Sequence, residues 1–422
     1  MNKYSQHVEL IEDSSRRCLS IDHKNRMGYF FKNNKGLLAR KYDDAWENSS
    51  IELGSLAEAE KYLSSKRKFK LDLERETDNP FLPGKILRDN EYILNILQNL
   101  NIPGWEVVFR ANRTRRIIIK KEHKKRESDF IYYSILIKLR LKGRRNFIEI
   151  GEGSVQEAKF NRSGLGARIN ELVENHRHSR HIEFHDRAPV ILSPGDGGIL
   201  LHEILGHSLE ADYLYREISP LSLADIGKTV ISENVTLTTG DAHDDFFKQI
   251  NCDDEGEDTN PLLLVKNGTL KNVIADSFYK ELLHLKHGGH ARVSDFTGAP
   301  MPRMYALYLK PGEYHPQELI ASTKYGVYAR EFGEGRVYFD KNLFYFNIKD
   351  AVLIENGRFS FPLGEVVVRG NIIEALNSIA MVADDFRYDK GISYCFKNGQ
   401  TINVRVGQPT VKILDLFVAK EI

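Results

Sequence analysis

The spacing of apolar and polar positions changes several times along this chain, and each change predicts a different element. Up to about residue 70 a helical period mixes with a short strand. Tyr29-Phe30-Phe31 and Gly36-Leu37-Leu38-Ala39 flank Lys32-Asn33-Asn34-Lys35, which reads as a hairpin turn. Residues 56–63 have the spacing of an amphipathic helix. Pro80 and Pro83 then interrupt the chain, and Ile86, Ile93, Leu94, Ile96, Leu97 and Leu100 predict a helix over 86–100. From Trp105 to Gly151 the pattern becomes that of strands: 105–110, 116–120 and 131–137, separated by charged turns, read as an antiparallel meander. A helix broken by Gly164 and Gly166 is expected over 155–174, followed by a highly charged linker over 174–186.

The second half begins with an apolar run, Ala188-Pro189-Val190-Ile191-Leu192-Ser193, that reads as a buried strand. It ends in Pro194-Gly195-Asp196-Gly197-Gly198, and Ile199-Leu200-Leu201 opens a helix. Asn267-Gly268, Asn356-Gly357 and Asn398-Gly399 each lie between segments of strand character. Asn-Gly is a strong hairpin signal because both residues accept positive φ. Helices are expected near 315–325 and 372–386. The whole predicts an α+β protein of mostly antiparallel sheets with packed helices, in two domains, 1–186 and 187–422.

Composition narrows the function classes. The chain has 422 residues, 41% of them hydrophobic and 28% charged, as in ordinary globular proteins. Lys+Arg number 60 against 59 Asp+Glu, a net charge of +1 that argues against nucleic-acid or membrane partners. No apolar stretch reaches the ~20 residues of a bilayer span, and the start lacks the apolar core of a signal peptide. Cys18, Cys252 and Cys395 are too few for a disulfide framework, so a reducing cytoplasm is expected. The basic stretch 110–145 reads as strands with a solvated face in preference to a nucleic-acid surface.

The segment with chemical content is His202-Glu203-Ile204-Leu205-Gly206-His207. Two histidines and a glutamate this close can hold a divalent metal and activate its water. In an ideal α-helix, positions five apart diverge by roughly 140°, so both rings reach one ion only if the helix is distorted. A π turn is expected within 203–207, with Gly206 as its point of relief. Glu210 and Asp212 stand where they can orient the imidazoles. Other clusters have duller readings: His176, His178, His181 and His185 a solvated linker, and Asp241, Asp244, Asp245 and Asp253, Asp254, Glu255, Glu257, Asp258 exposed acidic loops. His284, His287 and His290 remain rival sources of a third metal ligand.

His202 to Asp212, read as H-E-I-L-G-H-S-L-E-A-D, resembles the active-site helix of the TldD/PmbA metallopeptidase family, in its catalytic TldD branch. Asp253-Asp254-Glu255-Gly256, Pro300-Met301-Pro302-Arg303-Met304, Tyr325-Gly326-Val327-Tyr328 and Val406-Gly407-Gln408-Pro409-Thr410 follow in the family's order. The resemblance covers about 189–418 and is weaker over 105–186. It implies a zinc ion held by His202, His207 and Cys395, with Glu203 as the catalytic glutamate. It also implies substrate contacts from His290 or Arg303, and hydrolysis of unfolded or small precursor peptides bound in extended form. The partner it implies is a second subunit, either a copy or a non-catalytic PmbA/TldE-type chain. Two rival functions stand beside it: a zinc-stabilised peptide-binding subunit without activity, and a nucleic-acid-associated factor working through 110–145. Ser208 and Ala211 replace glycines usual in the family, and they are expected to narrow the cleft.

Overall fold

A computed structural model describes residues 6–24, 27–42, 46–52, 89–120, 125–142, 147–156, 159–180, 182 and 187–420. The protein is α+β, with far more strand than helix.

The first half is one antiparallel sheet. Its strands are β1 (Gln6–Asp22), β2 (Met27–Tyr42), β3 (Trp46–Glu52), β4 (Gly104–Lys120), β5 (Lys125–Arg140) and β6 (Ile148–Ser154), in the order β3-β2-β1-β4-β5-β6. Alternation sends Val107, Phe109, Ile135, Ile137 and Leu139 to one face. Helices α1 (Glu91–Asn99) and α2 (Arg162–His178) contribute Ile93, Leu97, Leu165, Ile169 and Leu172 to the same core.

Several local expectations are corrected here. The hairpin placed at Lys32-Asn33-Asn34-Lys35 is absent, because β2 runs straight through it and the β1–β2 register brings Ile21 opposite Met27. The two strands expected at 105–110 and 116–120 are one. Residues 111–115 were read as a turn for their charge, yet they pair with β1 on one side and β5 on the other. Helix α2 is not broken by its glycines. Asn161 caps it, accepting from Gly164 N at 2.9 Å, and it continues through the start of the expected linker to His178. A Cβ on Gly166 would stand 2.6 Å from Ile96 Cδ1, so this glycine serves the close approach of α1 and α2. The helix expected over 56–63 lies outside the described residues.

The second half is built around β7 (Arg187–Leu192), the centre of a six-stranded sheet. In spatial order its strands are Arg358–Asn371, Leu343–Glu355, Tyr325–Tyr338, β7, Val411–Lys420 and Ile379–Val382. Strand Arg358–Asn371 also pairs with Val411–Lys420, so five of these strands close on themselves. β7 lies parallel to Tyr325–Tyr338 and antiparallel to Val411–Lys420. Buried by neighbours on both sides, it reads as a continuous apolar run. A second six-stranded sheet runs Thr269–Leu270, Leu262–Lys266, Leu237–Thr239, Ala306–Leu309, Arg405–Gln408, Arg387–Tyr388. All three Asn-Gly pairs make the expected tight turns, with φ of 46° and 72°, 51° and 75°, and 49° and 79°. The helix expected over 372–386 stops at Asn377, and Ile379–Val382 returns to strand.

Two clusters that were separate puzzles in the sequence turn out to answer each other. Arg116 on β4 meets Glu12 at 2.9 Å and Asp254 at 2.6 Å, Lys120 pairs with Glu257, and Arg126 reaches Asp258 at 2.8 Å. Arg113 and Arg115 share Asp129. Much of the basic charge of 110–145 is therefore neutralised within the chain, which removes the main feature that suggested a nucleic-acid surface. The acidic loop 253–258 in turn fastens the first sheet to the second half.

Candidate metal centre

The turn after β7 is tight because two strands of the second sheet press on it. A Cβ on Gly197 would stand 2.3 Å from Gln408 Nε2, and Gly195 takes φ +77°. Gln408 holds the turn by donating to Ser193 O at 3.0 Å, and Gly195 N donates to Gln408 O at 2.9 Å. This gives the Gly407-Gln408 motif a physical purpose. Helix α3 (Gly198–Leu201) starts there, with Leu200 and Leu201 in the core.

At His202 the winding changes. Residues His202–Gly206 form a π turn, and His207 N donates to His202 O, an i→i+5 bond. A short 3₁₀ turn, His207–Leu209, and helix α4 (Ala211–Tyr215) follow. The widened turn brings the rings of His202 and His207 to 5.0 Å between centroids. Gly206 has φ −56° and ψ −53°, which any residue adopts, so the expectation that its freedom permits the distortion is corrected. What requires glycine is contact: a Cβ would stand 2.3 Å from Met304 Sδ and 3.0 Å from Leu307 Cδ2. Gly206→Val should lose about 1–3 kcal/mol of stability through overpacking and shift the π turn. Metal retention should fall although no ligand is altered. Unchanged retention in a chelator competition would separate the turn from the site.

Cys395 arrives from far along the chain. It lies on Tyr394–Lys397, which pairs with Gln400–Asn403 across the Asn398-Gly399 turn. Strand alternation turns Cys395 and Lys397 inward and leaves Tyr394 and Phe396 exposed. Donor atoms of His202, His207 and Cys395 all lie within 4.8 Å of one another, and all three residues are buried. Cys395 Sγ is 3.3 Å from His207 Nε2.

These residues suit a zinc ion. Both ring nitrogens of His202 are buried without a hydrogen-bond partner, a costly state that a metal would relieve. Two imidazoles and a thiolate form a donor set zinc prefers, with a fourth position left over. Burial alone would push the Cys395 thiol up, but the facing His207 and His202 outweigh it and hold it well below the usual thiol range. Glu203 is not among the clustered donors and keeps partial access to solvent. Burial raises its carboxyl, against the opposing pull of His207 and His202.

Around the trio lies a buried polar layer. His207 Nδ1 is 2.8 Å from Glu210 Oε2. Lys397 Nζ donates to Glu210 Oε2 and Asp212 Oδ1, both at 2.8 Å, and to Pro302 O at 3.0 Å. Burial works to raise the Glu210 carboxyl, yet His207 and Lys397 bring it down to about 2. It is therefore ionised and fixes the orientation of the His207 ring. Lys397 was not singled out in the sequence, although alternation from Cys395 would have found it.

His290 and Arg303, expected at the substrate, are 2% and 0% exposed. His290 turns Nδ1 to Gly288 O and Nε2 to Thr239 Oγ1, while Arg303 turns its guanidinium to Cys395. Their polar groups thus serve the interior. Ser208 and Ala211 are likewise fully buried: Ser208 Oγ donates to Ile204 O at 2.7 Å, inside the helix, where it cannot narrow a cleft. Asp253 accepts from Glu255, Glu257 and Ala291 N–H groups, and Asp254 from Val293 N, so the acidic motif orders the segment leading to Pro302 and Arg303. His176 and His178 end α2 on carbonyl oxygens of Lys142 and Glu174. His181 and His185 lie outside the described residues.

Residues 185–420 match the family model described as the PmbA/TldA metallopeptidase C-terminal domain. The chain belongs to the TldD/PmbA metallopeptidase family. It is 36% identical over 230 residues to a metalloprotease TldD homolog of Haemophilus influenzae, covering 54% of this chain and 48% of that protein. It is 32% identical over 231 residues to a zinc metalloprotease TldD homolog of Saccharolobus solfataricus, covering 54% and 51%. The matched region spans about half the length of these curated relatives. Among solved structures, TldE from Thermococcus kodakarensis shares the fold at a TM-score of 0.73 and 15% identity, over 98% of this chain and 96% of that one. A protein of Bacteroides thetaiotaomicron described as a putative modulator of DNA gyrase does so at 0.74 and 16%, over 100% and 96%. Among the described residues, no helix is long and apolar enough to cross a membrane.

Proposed function

We propose that the chain is a zinc-dependent peptidase whose metal ligands are His202, His207 and Cys395 and whose catalytic base is Glu203. The observation that carries this reading is the convergence of three buried donors within 4.8 Å at a π turn, beside the partly accessible Glu203. Zinc at such a site supplies a Lewis acid and lowers the pKa of a bound water towards 7.

The chain's own residues do the rest. Glu203 takes a proton from the attacking water and later gives it to the leaving amine. Its burial-raised carboxyl suits a group that must both accept and release a proton. Glu210, ionised and clamped by Lys397, keeps the His207 ring aimed. The substrate is an unfolded or small precursor peptide lying in extended form. Strand Tyr394–Lys397, which pairs with Gln400–Asn403 alone among the named strands, offers it an edge close to Cys395.

The working unit in this reading is a dimer with a second copy or a PmbA/TldE-type subunit, supported by the fold shared with TldE. The division near residue 186 is supported by the two largest cores, which lie on either side of it and are bridged by a small cluster of Leu10, Ile118, Cys252, Val293 and Phe296. Three free cysteines, one of them a ligand, suit a cytoplasmic setting.

Metal analysis of the purified protein should give about one zinc per chain. Chelation should abolish cleavage of an unstructured protein such as casein, and zinc should restore it. Full cleavage by the metal-free protein would overturn the reading.

A further inference from the structure

Arg303 is among the largest side chains with no exposed surface, and its position is unusual for an arginine. Burying a guanidinium costs several kcal/mol unless an anion and full hydrogen bonding compensate it. Among the described residues, no carboxylate lies within ion-pair distance of Arg303. Its contacts run elsewhere: Nη2 donates to Cys395 O at 2.6 Å and to Cys395 Sγ at 3.0 Å, and Nη1 donates to Gln400 O at 3.2 Å. Nε has no partner. One guanidinium thus grips both strands of the hairpin that carries the cysteine, and directs a charged donor at its sulfur.

We propose that Arg303 is a positioning residue for the Cys395 sulfur: it fixes the sulfur's direction towards the two histidines and withdraws electron density from it. The proposal rests on the zinc reading above. A hydrogen bond to a ligand sulfur weakens its donation, and one from a cation does so more strongly. A thiolate bound to zinc would otherwise offset much of the ion's charge and reduce its effect on a bound water. Arg303 returns part of that charge, which gives a site containing sulfur the polarising strength of one with weaker donors. Lys397 provides no substitute, since its three hydrogen bonds go to Glu210, Asp212 and Pro302. The planar fork also matters: one nitrogen serves both sulfur and carbonyl while the other spans to the neighbouring strand, a geometry lysine lacks.

Cobalt(II) replaces zinc with a sulfur-to-metal charge-transfer band that reports the donor strength of the sulfur. In Arg303→Met the band should move to longer wavelength as the sulfur donates more strongly. Because the sulfur is no longer held towards the histidines, cobalt should be lost to a competing chelator about 10- to 100-fold more readily, the usual effect of removing a group that orients a ligand. Arg303→Lys keeps the charge and a donor, so it should fold even where the methionine variant does not and show a smaller shift in the same direction. A band at the wild-type position in a folded variant overturns the proposal, and a purely structural role for Arg303 predicts that result. If the unaltered protein binds cobalt without any sulfur band, the zinc reading fails instead, which keeps the two failures distinct.

Discussion

Glu203→Ala should leave zinc bound at wild-type stoichiometry and the thermal transition close to that of the parent, while peptide hydrolysis falls by ~10²- to 10⁴-fold, the usual contribution of a positioned acid–base group. The asymmetry follows from placement. His202, His207 and Cys395 bring donor atoms together in the interior, and Glu203 stands outside that cluster with partial access to solvent. A carboxylate that only braced the fold would be paired, as Glu210 is by His207 and Lys397. Glu203→Gln is the stricter variant, since it preserves size and removes only the proton transfer. The pH dependence has a stated sign: in the proposed mechanism the raised carboxyl of Glu203 acts as base only when ionised, so activity should fall on the acid side. That limb should disappear from the residual activity of Glu203→Gln. Loss of zinc from either variant would make Glu203 a ligand and remove the mechanism. Full activity with zinc retained would remove Glu203 as the base.

Local signals and long-range ones fared differently when read from the sequence. The three Asn-Gly turns were legible because the reason for each lies within two residues and their positive φ. β7 was legible because burial from both sides demands an uninterrupted apolar run. The π turn was legible from the five-residue spacing of the histidines alone, since a regular helix cannot aim both rings at one ion. β4 was misread because charge was taken as a sign of turns, whereas Arg113, Arg115 and Arg116 are extended and answered by Asp129, Glu12 and Asp254. Two of those acids lie on other elements, distant in sequence. The layer around the candidate metal centre was hidden for the same reason. Arg303 meets a cysteine 92 positions away, and Lys397 meets a glutamate 187 positions away. Gly206 was singled out correctly for the wrong cause, because its neighbour Met304 is nearly a hundred residues downstream. Pro302, Arg303 and Met304 touch Lys397, Cys395 and Gly206 respectively, so this motif is a brace whose meaning exists only in three dimensions.

Cys395→Ala should lower zinc affinity by roughly two to three decades. Structural zinc sites bind with ~10–16 kcal/mol; divided over four donors this is about 2.5–4 kcal/mol each, and 1.4 kcal/mol is tenfold. Neighbouring groups offer little replacement. The nitrogens of His290 are committed to Gly288 and Thr239, and among the described residues no other clustered set of potential ligands is present. The variant also strips the buried guanidinium of Arg303 of its sulfur partner, so part of the effect should appear as lost stability. A double variant, Cys395→Ala with Arg303→Met, tells the two contributions apart: it should recover stability without recovering zinc. Chelator competition on the single and double variants, read beside thermal melts, measures both. Equal zinc retention in wild type and Cys395→Ala would exclude the cysteine as a ligand, and with it the reason for a cation to be buried at its side.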